Sequence, residues 1–222
     1  MRKTKMSKKI LTVMLLLVSM LITSGCLEEF EEEKKVEKKL LTGTPTEEYY
    51  EQAQAYFEDK NYTEALKYDL KQLEEDLKYY RNQSLEIALD YNNIALDYDK
   101  LKAYKKSIAY YQKVIKIDNI VLDRDNSEKA ITYYNLASAY QSLKEYNHAL
   151  SFYFKSLKID KDNETMLITY HDIAEVYKEK GDSKEALSYF QKALRLYNKS
   201  KRKDLAMGDS ITQNIKALKK TK

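Results

Sequence analysis

The 222 residues contain no tryptophan, one cysteine, one proline, two histidines and four glycines. A lone thiol forms no disulfide within its own chain. So little glycine and proline excludes a turn-rich β protein and fits long helices joined by short connections. Catalysis needs polar side chains converging on a reacting centre, and two histidines without any GxSxG, HExxH, CxxC or glycine-rich phosphate loop offer few. The chain is therefore read as non-enzymatic, with no cofactor and no metal. Asp123, Asp125 and Ser127, and again Asp160, Asp162 and Glu164, have the spacing of calcium loops. Their sixth positions are Glu128 and Thr165 where glycine is needed, and their twelfth are Tyr134 and His171 where glutamate is needed. They are expected to be helix caps and acidic loops.

What is present begins with the first 33 residues. Arg2, Lys3, Lys5, Lys8 and Lys9 precede an apolar block from Ile10 to Ile22, followed by the small residues Thr23, Ser24 and Gly25 and then the single cysteine, Cys26. A charged head, an apolar middle and a small-residue cleavage site make a secretory signal. The block has 13 residues, short of the ~20 that a helix needs to cross a bilayer. Extending it to Leu27 gives 18, but only by taking in Thr23, Ser24, Gly25 and Cys26, so a retained span is the lesser alternative. Ile22-Thr23-Ser24-Gly25-Cys26 resembles a bacterial lipoprotein lipobox, with Thr23 where leucine is usual. That resemblance implies lipidation of Cys26 and anchoring to a membrane. A buried structural role for Cys26 is opposed by Glu28, Glu29, Glu31, Glu32 and Glu33, which follow at once. Leu27, in place of an aspartate that retains some lipoproteins at the inner membrane, points to the outer membrane or cell surface of a bacterial envelope.

The net charge of +4 is misleading, because residues 1–25 carry five positive charges and no negative one, leaving −1 beyond them. Residues 199–222 are net +6, so residues 26–198 are net −7. An acidic body lacks the field that nucleic-acid binding requires, and the adjacent tyrosines Tyr49-Tyr50, Tyr110-Tyr111 and Tyr133-Tyr134 are read as core rather than as stacking platforms. Three regions follow: a signal at 1–25, a charged lipidated linker at 26–43, and a helical domain at 44–222. The domain is expected to open with Thr44 as N-cap, Pro45 in the first helical position and Glu47 closing a capping box.

Three segments within this domain align without gaps, starting at Tyr91, Tyr133 and Tyr170. Each has alanine four residues after the tyrosine and a second tyrosine three residues later. Nine further on comes a small residue, Ser107, Ala149 or Ala186, and then a large aromatic, Tyr111, Tyr153 or Phe190. A fainter copy has Tyr49, Ala53, Tyr56 and Ala65, with Asp69 in the aromatic position. Steps of three and four put these side chains on one helix face, and the break between them marks a tight turn into an antiparallel partner. Small residues allow close approach and aromatics fill the space around them. Asn61 with Glu64 and Asp182 with Glu185 are expected to cap second helices, and Gly181 to end a first helix in the left-handed region.

This pattern resembles the tetratricopeptide repeat (TPR), whose usual period is about 34 residues. The steps here are 42, 42 and 37, similar to the extended repeats of the kinesin light chain group. The resemblance implies an all-α fold, an α-solenoid of about four TPR-like helix pairs. Leu205, Ile211, Ile215 and Leu218 suit a C-terminal capping helix. It also implies a groove lined by the first helix of each pair, holding Tyr50, Gln54, Asn92, Asn93, Leu96, Tyr134, Asn135, Ser138, Gln141, His171, Asp172 and Glu175. Asn93 and Asn135 stand where many such domains use an amide, both donor and acceptor, to bond an extended peptide backbone. Asp172 takes that place in the fourth copy. Asn92, Tyr134 and His171 occupy the sites of the basic residues of a carboxylate clamp, so that function is not expected. The implied role is a membrane-anchored protein–protein adaptor in envelope assembly. A regulatory solenoid sensing a peptide or small ligand is the alternative, and an enzyme helper or lytic enzyme the third.

Overall fold

The computed structural model describes residues 40–124, 126–200 and 205–220. The signal, the lipobox and residues 26–39 of the linker lie outside them. Among the described residues are nine helices and no strand: α1 Glu48–Glu58, α2 Tyr62–Asp76, α3 Leu85–Lys100, α4 Tyr104–Val121, α5 Ser127–Ser142, α6 Tyr146–Ile159, α7 Asn163–Glu179, α8 Ser183–Lys199 and α9 Leu205–Lys220. They form four antiparallel pairs and a terminal helix, the α-solenoid that the repeat pattern implies.

The turns inside the pairs explain how a sequence so poor in glycine makes them. Each turn has a central residue in the left-handed region: Lys60, Lys102, Lys144 and Gly181, with φ of 60°, 59°, 60° and 80°. Gly181 does this at little steric cost, as its position predicts. Three lysines pay about 1–2 kcal/mol each for the clash of Cβ with the following carbonyl. The register of every pair thus rests on packing strong enough to hold its turn.

That packing starts with the small residues. Ala65, Ala95, Ser107, Ala137, Ala149, Ala174 and Ala186 are wholly buried, and Tyr111, Tyr153 and Phe190 are at most 1% exposed beside them. A second set of rings recurs at the repeat step: Tyr56 with Tyr68, Tyr98 with Tyr110, Tyr140 with Phe152, and Tyr177 with Tyr189, all at centroid distances of 5.4–5.6 Å. Lys71, Lys113, Lys155 and Lys192 lie over these second-helix rings at 3.8–4.5 Å from the centroid. Each ring pair adds ~0.5–1.5 kcal/mol to its area burial, which accounts for much of the tyrosine content.

The caps follow the predicted chemistry with one exception. Asn61 accepts from the Glu64 N–H, Asp182 from Glu185, and Asp162 from both Glu164 and Thr165. The first helix starts later than expected, at Glu48, and Glu47 makes no side-chain cap. Thr46 Oγ1 accepts from Glu48 N–H at 3.2 Å, while Gln72 on α2 accepts from Tyr50 N–H and donates to the Thr46 carbonyl, both at 3.0 Å. A neighbouring helix therefore supplies the cap that local sequence was expected to give.

At the other end, Ile211 is wholly buried and Leu218 9% exposed against Ala186, Phe190 and Ala193, with Ile215 partly buried beside them. Gly208 permits this contact, because a Cβ there would overlap the Tyr197 ring.

Candidate peptide groove

Successive pairs leave cavities between the first helix of one pair, its second helix, and the first helix of the next. One, of about 420 Å³, is lined by Ala88, Leu89 and Asn92 of α3, Val114 and Asp118 of α4, and Ile131 and Thr132 of α5, among others. Another, of about 330 Å³, is lined by Ala130, Ile131 and Tyr134 of α5, Ser156 of α6 and Asp160 just after it, and Ile168 and Thr169 of α7. These are the same site moved by one repeat, residue for residue. Leu89, Ile131 and Ile168 stand at equivalent positions and are 52%, 57% and 37% exposed. Exposed apolar side chains thus recur along one line at the repeat step.

A second row lies farther along the same helices. Tyr50, Gln54, Phe57, Asp69, Asn93 and Leu96 line a cavity of about 170 Å³ between the first pair and α3. Ser138, Gln141, Tyr153 and Asp172 line its equivalent of about 400 Å³, two repeats on. The residues expected in the groove thus divide between two parallel rows: Asn92 and Tyr134 in the apolar one, Asn93, Leu96, Ser138, Gln141 and Asp172 in the polar one.

Hydrogen bonding divides them again. The side-chain amides of Asn92, Asn93 and Asn135 are half-buried and bond no other described residue. The later positions are internally engaged. Tyr134 donates to Asp172 Oδ2 at 2.6 Å, and Tyr153 donates to Gln141 Oε1 at 2.8 Å. His171 Nδ1 lies 3.1 Å from Asp172 Oδ1 and its ring meets Phe190 edge-on. Glu175 accepts from Asn214 of α9 at 3.0 Å and pairs with Lys178. His171 and Glu175 therefore belong to the junction with the capping helix, whereas the asparagines hold their amides ready.

The tetratricopeptide repeat profile matches residues 47–120, 91–162 and 128–199. The chain belongs to the tetratricopeptide repeat family. No curated protein sequence matches the chain. Among solved structures it is similar to nearly identical TPR-like repeats assigned to a Podosopora anserina kinesin light chain, with TM-score 0.67 and 16% identity over 78% of this chain and 84% of that one. BtubC (BKLC) from P. vanneervenii gives TM-score 0.68 and 17% identity over 78% and 71%. MamA gives 0.55 and 22% over 69% and 78%. At these identities the likeness is one of fold.

Two features of this TPR chain escaped the sequence reading. The exposed ladder Leu89, Ile131, Ile168 follows the repeat steps of 42 and 37, so comparing apolar as well as polar equivalents would have found it. The other is a set of buried acids joining the first two pairs: Asp69 and Asp76 on α2, Asp90 and Asp97 on α3, at 6%, 7%, 4% and 0% exposure. Asp69 faces Asp97, and Asp76 faces Asp90. Burial deprives their charged forms of hydration and pushes Asp69 up to about 6 and Asp90 and Asp97 up to about 8. Gln72 Nε2 donates to Asp76 at 2.9 Å and tempers its rise. In the next repeat Thr132 stands where Asp90 does and donates to Asp118, the equivalent of Asp76, at 3.4 Å. Where the first junction lacks a hydroxyl donor, a shared proton must serve.

Proposed function

We propose that this TPR protein is an exported, lipid-anchored adaptor that holds an extended protein segment along the first helices of its pairs. The observation that carries the reading is the coincidence of an apolar ladder at Leu89, Ile131 and Ile168 with a row of unengaged amides at Asn93 and Asn135. Apolar side chains of the segment enter the repeated cavities, and its backbone bonds the amides, each able to donate and accept. TPR domains commonly bind protein partners, and nothing in this site gathers a nucleophile, base and oxyanion donors.

Anchoring rests on Cys26 and the signal preceding it. Two or more acyl chains hold a protein stably, each buried methylene contributing about 0.8 kcal/mol. No helix among the described residues is long and apolar enough to cross a membrane. The proposed location is the bacterial envelope, at the outer membrane or surface, with a role in assembling envelope machinery.

The groove is tested by measuring partner affinity and melting temperature together for Asn93→Ala and Asn135→Ala. An amide that serves only the partner should weaken binding by ~1–3 kcal/mol and leave the melt unchanged. Unchanged affinity in both variants would place the partner elsewhere.

A further inference from the structure

The first pair departs from the others at one point on the groove. Where later pairs place Tyr111, Tyr153 and Phe190, at most 1% exposed, it has Asp69. Asp69 stands in the wall of the cavity of about 170 Å³ together with Tyr50, Phe57, Asn93 and Leu96. Behind Asp69 stands Asp97, where later pairs have Ala139 and Val176. Asp97 is wholly buried and shares a proton with Asp69. Asp69, 94% buried and part of the cavity wall, is bonded by no described residue except Asp97.

Two buried carboxyls that share one proton still keep a negative charge at the cavity wall, which a cation would relieve. The opening faces the groove and is too small for a whole cofactor, since such sites run to ~300–1,000 Å³. It suits the end of one side chain. Tyr50 and Phe57 offer aromatic walls, which favour a guanidinium, and a guanidinium fork satisfies two carboxylate oxygens at once. Among the described residues no three potential ligands come together to hold a metal ion. The net −7 of residues 26–198 favours basic over acidic partners.

We propose that the notch at Asp69 and Asp97 receives a basic side chain, arginine by preference, from the protein segment bound in the groove. The assignment rests on the groove reading and adds to it the chemistry of the partner: a segment that carries an arginine as well as apolar residues.

The test uses the full chain in non-ionic detergent, titrated with Nα-acetylarginine amide and with its neutral isostere Nα-acetylcitrulline amide, following the side-chain amide signals of Gln54 and Asn93. Arginine amide should shift them saturably and citrulline amide should not. Asp69→Asn and Asp69→Tyr should each weaken binding by about tenfold or more. Asp69→Tyr restores the repeat residue, so its melt shows that the loss is not unfolding. Equal response to the two probes, or parental binding by Asp69→Asn, would overturn the notch. Asn135→Ala, outside the notch, separates the two readings. If it weakens the protein partner while the arginine probe ignores Asp69, the notch alone fails; if the probe obeys Asp69 but Asn135→Ala binds the partner normally, the side chain does not come from a groove-bound segment.

Discussion

Tyr134 on α5 donates its hydroxyl to Asp172 on α7 at 2.6 Å, bridging the third and fourth pairs across the groove floor. Both residues were candidates for partner contact, and the bond commits them to each other. Burial together with the Asp172 charge pushes the Tyr134 phenol up, so it remains a donor throughout the accessible pH range. Tyr134→Phe should lower stability by ~1.5–3 kcal/mol, the range for a hydrogen bond to a charged group, in a denaturant melt. Asp172→Asn, which keeps an acceptor, should lose less.

The left-handed turns make a prediction of the opposite sign. Lys60 and Lys102 are exposed with φ near +60°, so Lys60→Gly and Lys102→Gly relieve the Cβ clash. Each should stabilise by about 1 kcal/mol, partly offset by the entropy of glycine in the unfolded chain. Thermal melts of the single and double variants would show it as an additive rise.

Close helix contact is tested at Ala137 and Ala174, both wholly buried. Replacement of either by leucine should destabilise by ~1–3 kcal/mol through overpacking. Parental melts for both would break the register of the repeats.

The acids of the first junction predict a pH dependence. Asp90 faces Asp76 and is also near Asp69 and Glu86, all acidic, and its carboxyl lies at about 8. A raised folded-state value means that stability is complete below the ordinary carboxylate range and falls as pH rises from about 4 through 8. Asp90→Thr supplies the donor found at Thr132. It should flatten the slope of melting temperature between pH 5 and 8.5 and raise the melt most at the alkaline end.

Much of this was legible because one spacing repeats. The burial of Ala137, Ala149, Tyr153 and Phe190, the cap at Asp182 and the left-handed Gly181 follow from periodicity and turn chemistry, which are local. What local patterns did not carry were partners from other helices: Gln72 capping α1, Tyr134 meeting Asp172, and Asp97 meeting Asp69. Lys60, Lys102 and Lys144 were missed for another reason. Nothing in a lysine announces the left-handed region, and only alignment with Gly181 shows it. Asn92, Asn93 and Asn135 were chosen by resemblance, and their lack of an internal bond became visible only with the helices in place.

Anchoring is checked at the thiol. Cys26→Ser should abolish incorporation of labelled fatty acid and move the protein from the detergent to the aqueous phase. Its melt should match the parent, because Cys26 lies ahead of the packed repeats. Label retained by the variant would remove the lipobox reading.

The central claim, that the first-helix face holds a protein segment, is tested most directly by site-specific photocrosslinking in living cells. A photoreactive residue at Ile131, between the two repeated cavities, is compared with one at Asn119, exposed on α4. The account predicts a discrete crosslinked species from position 131 that is absent from position 119 and diminished by Asn93→Ala with Asn135→Ala. A species of equal yield from both positions, or one from 131 that survives the double substitution undiminished, would contradict it.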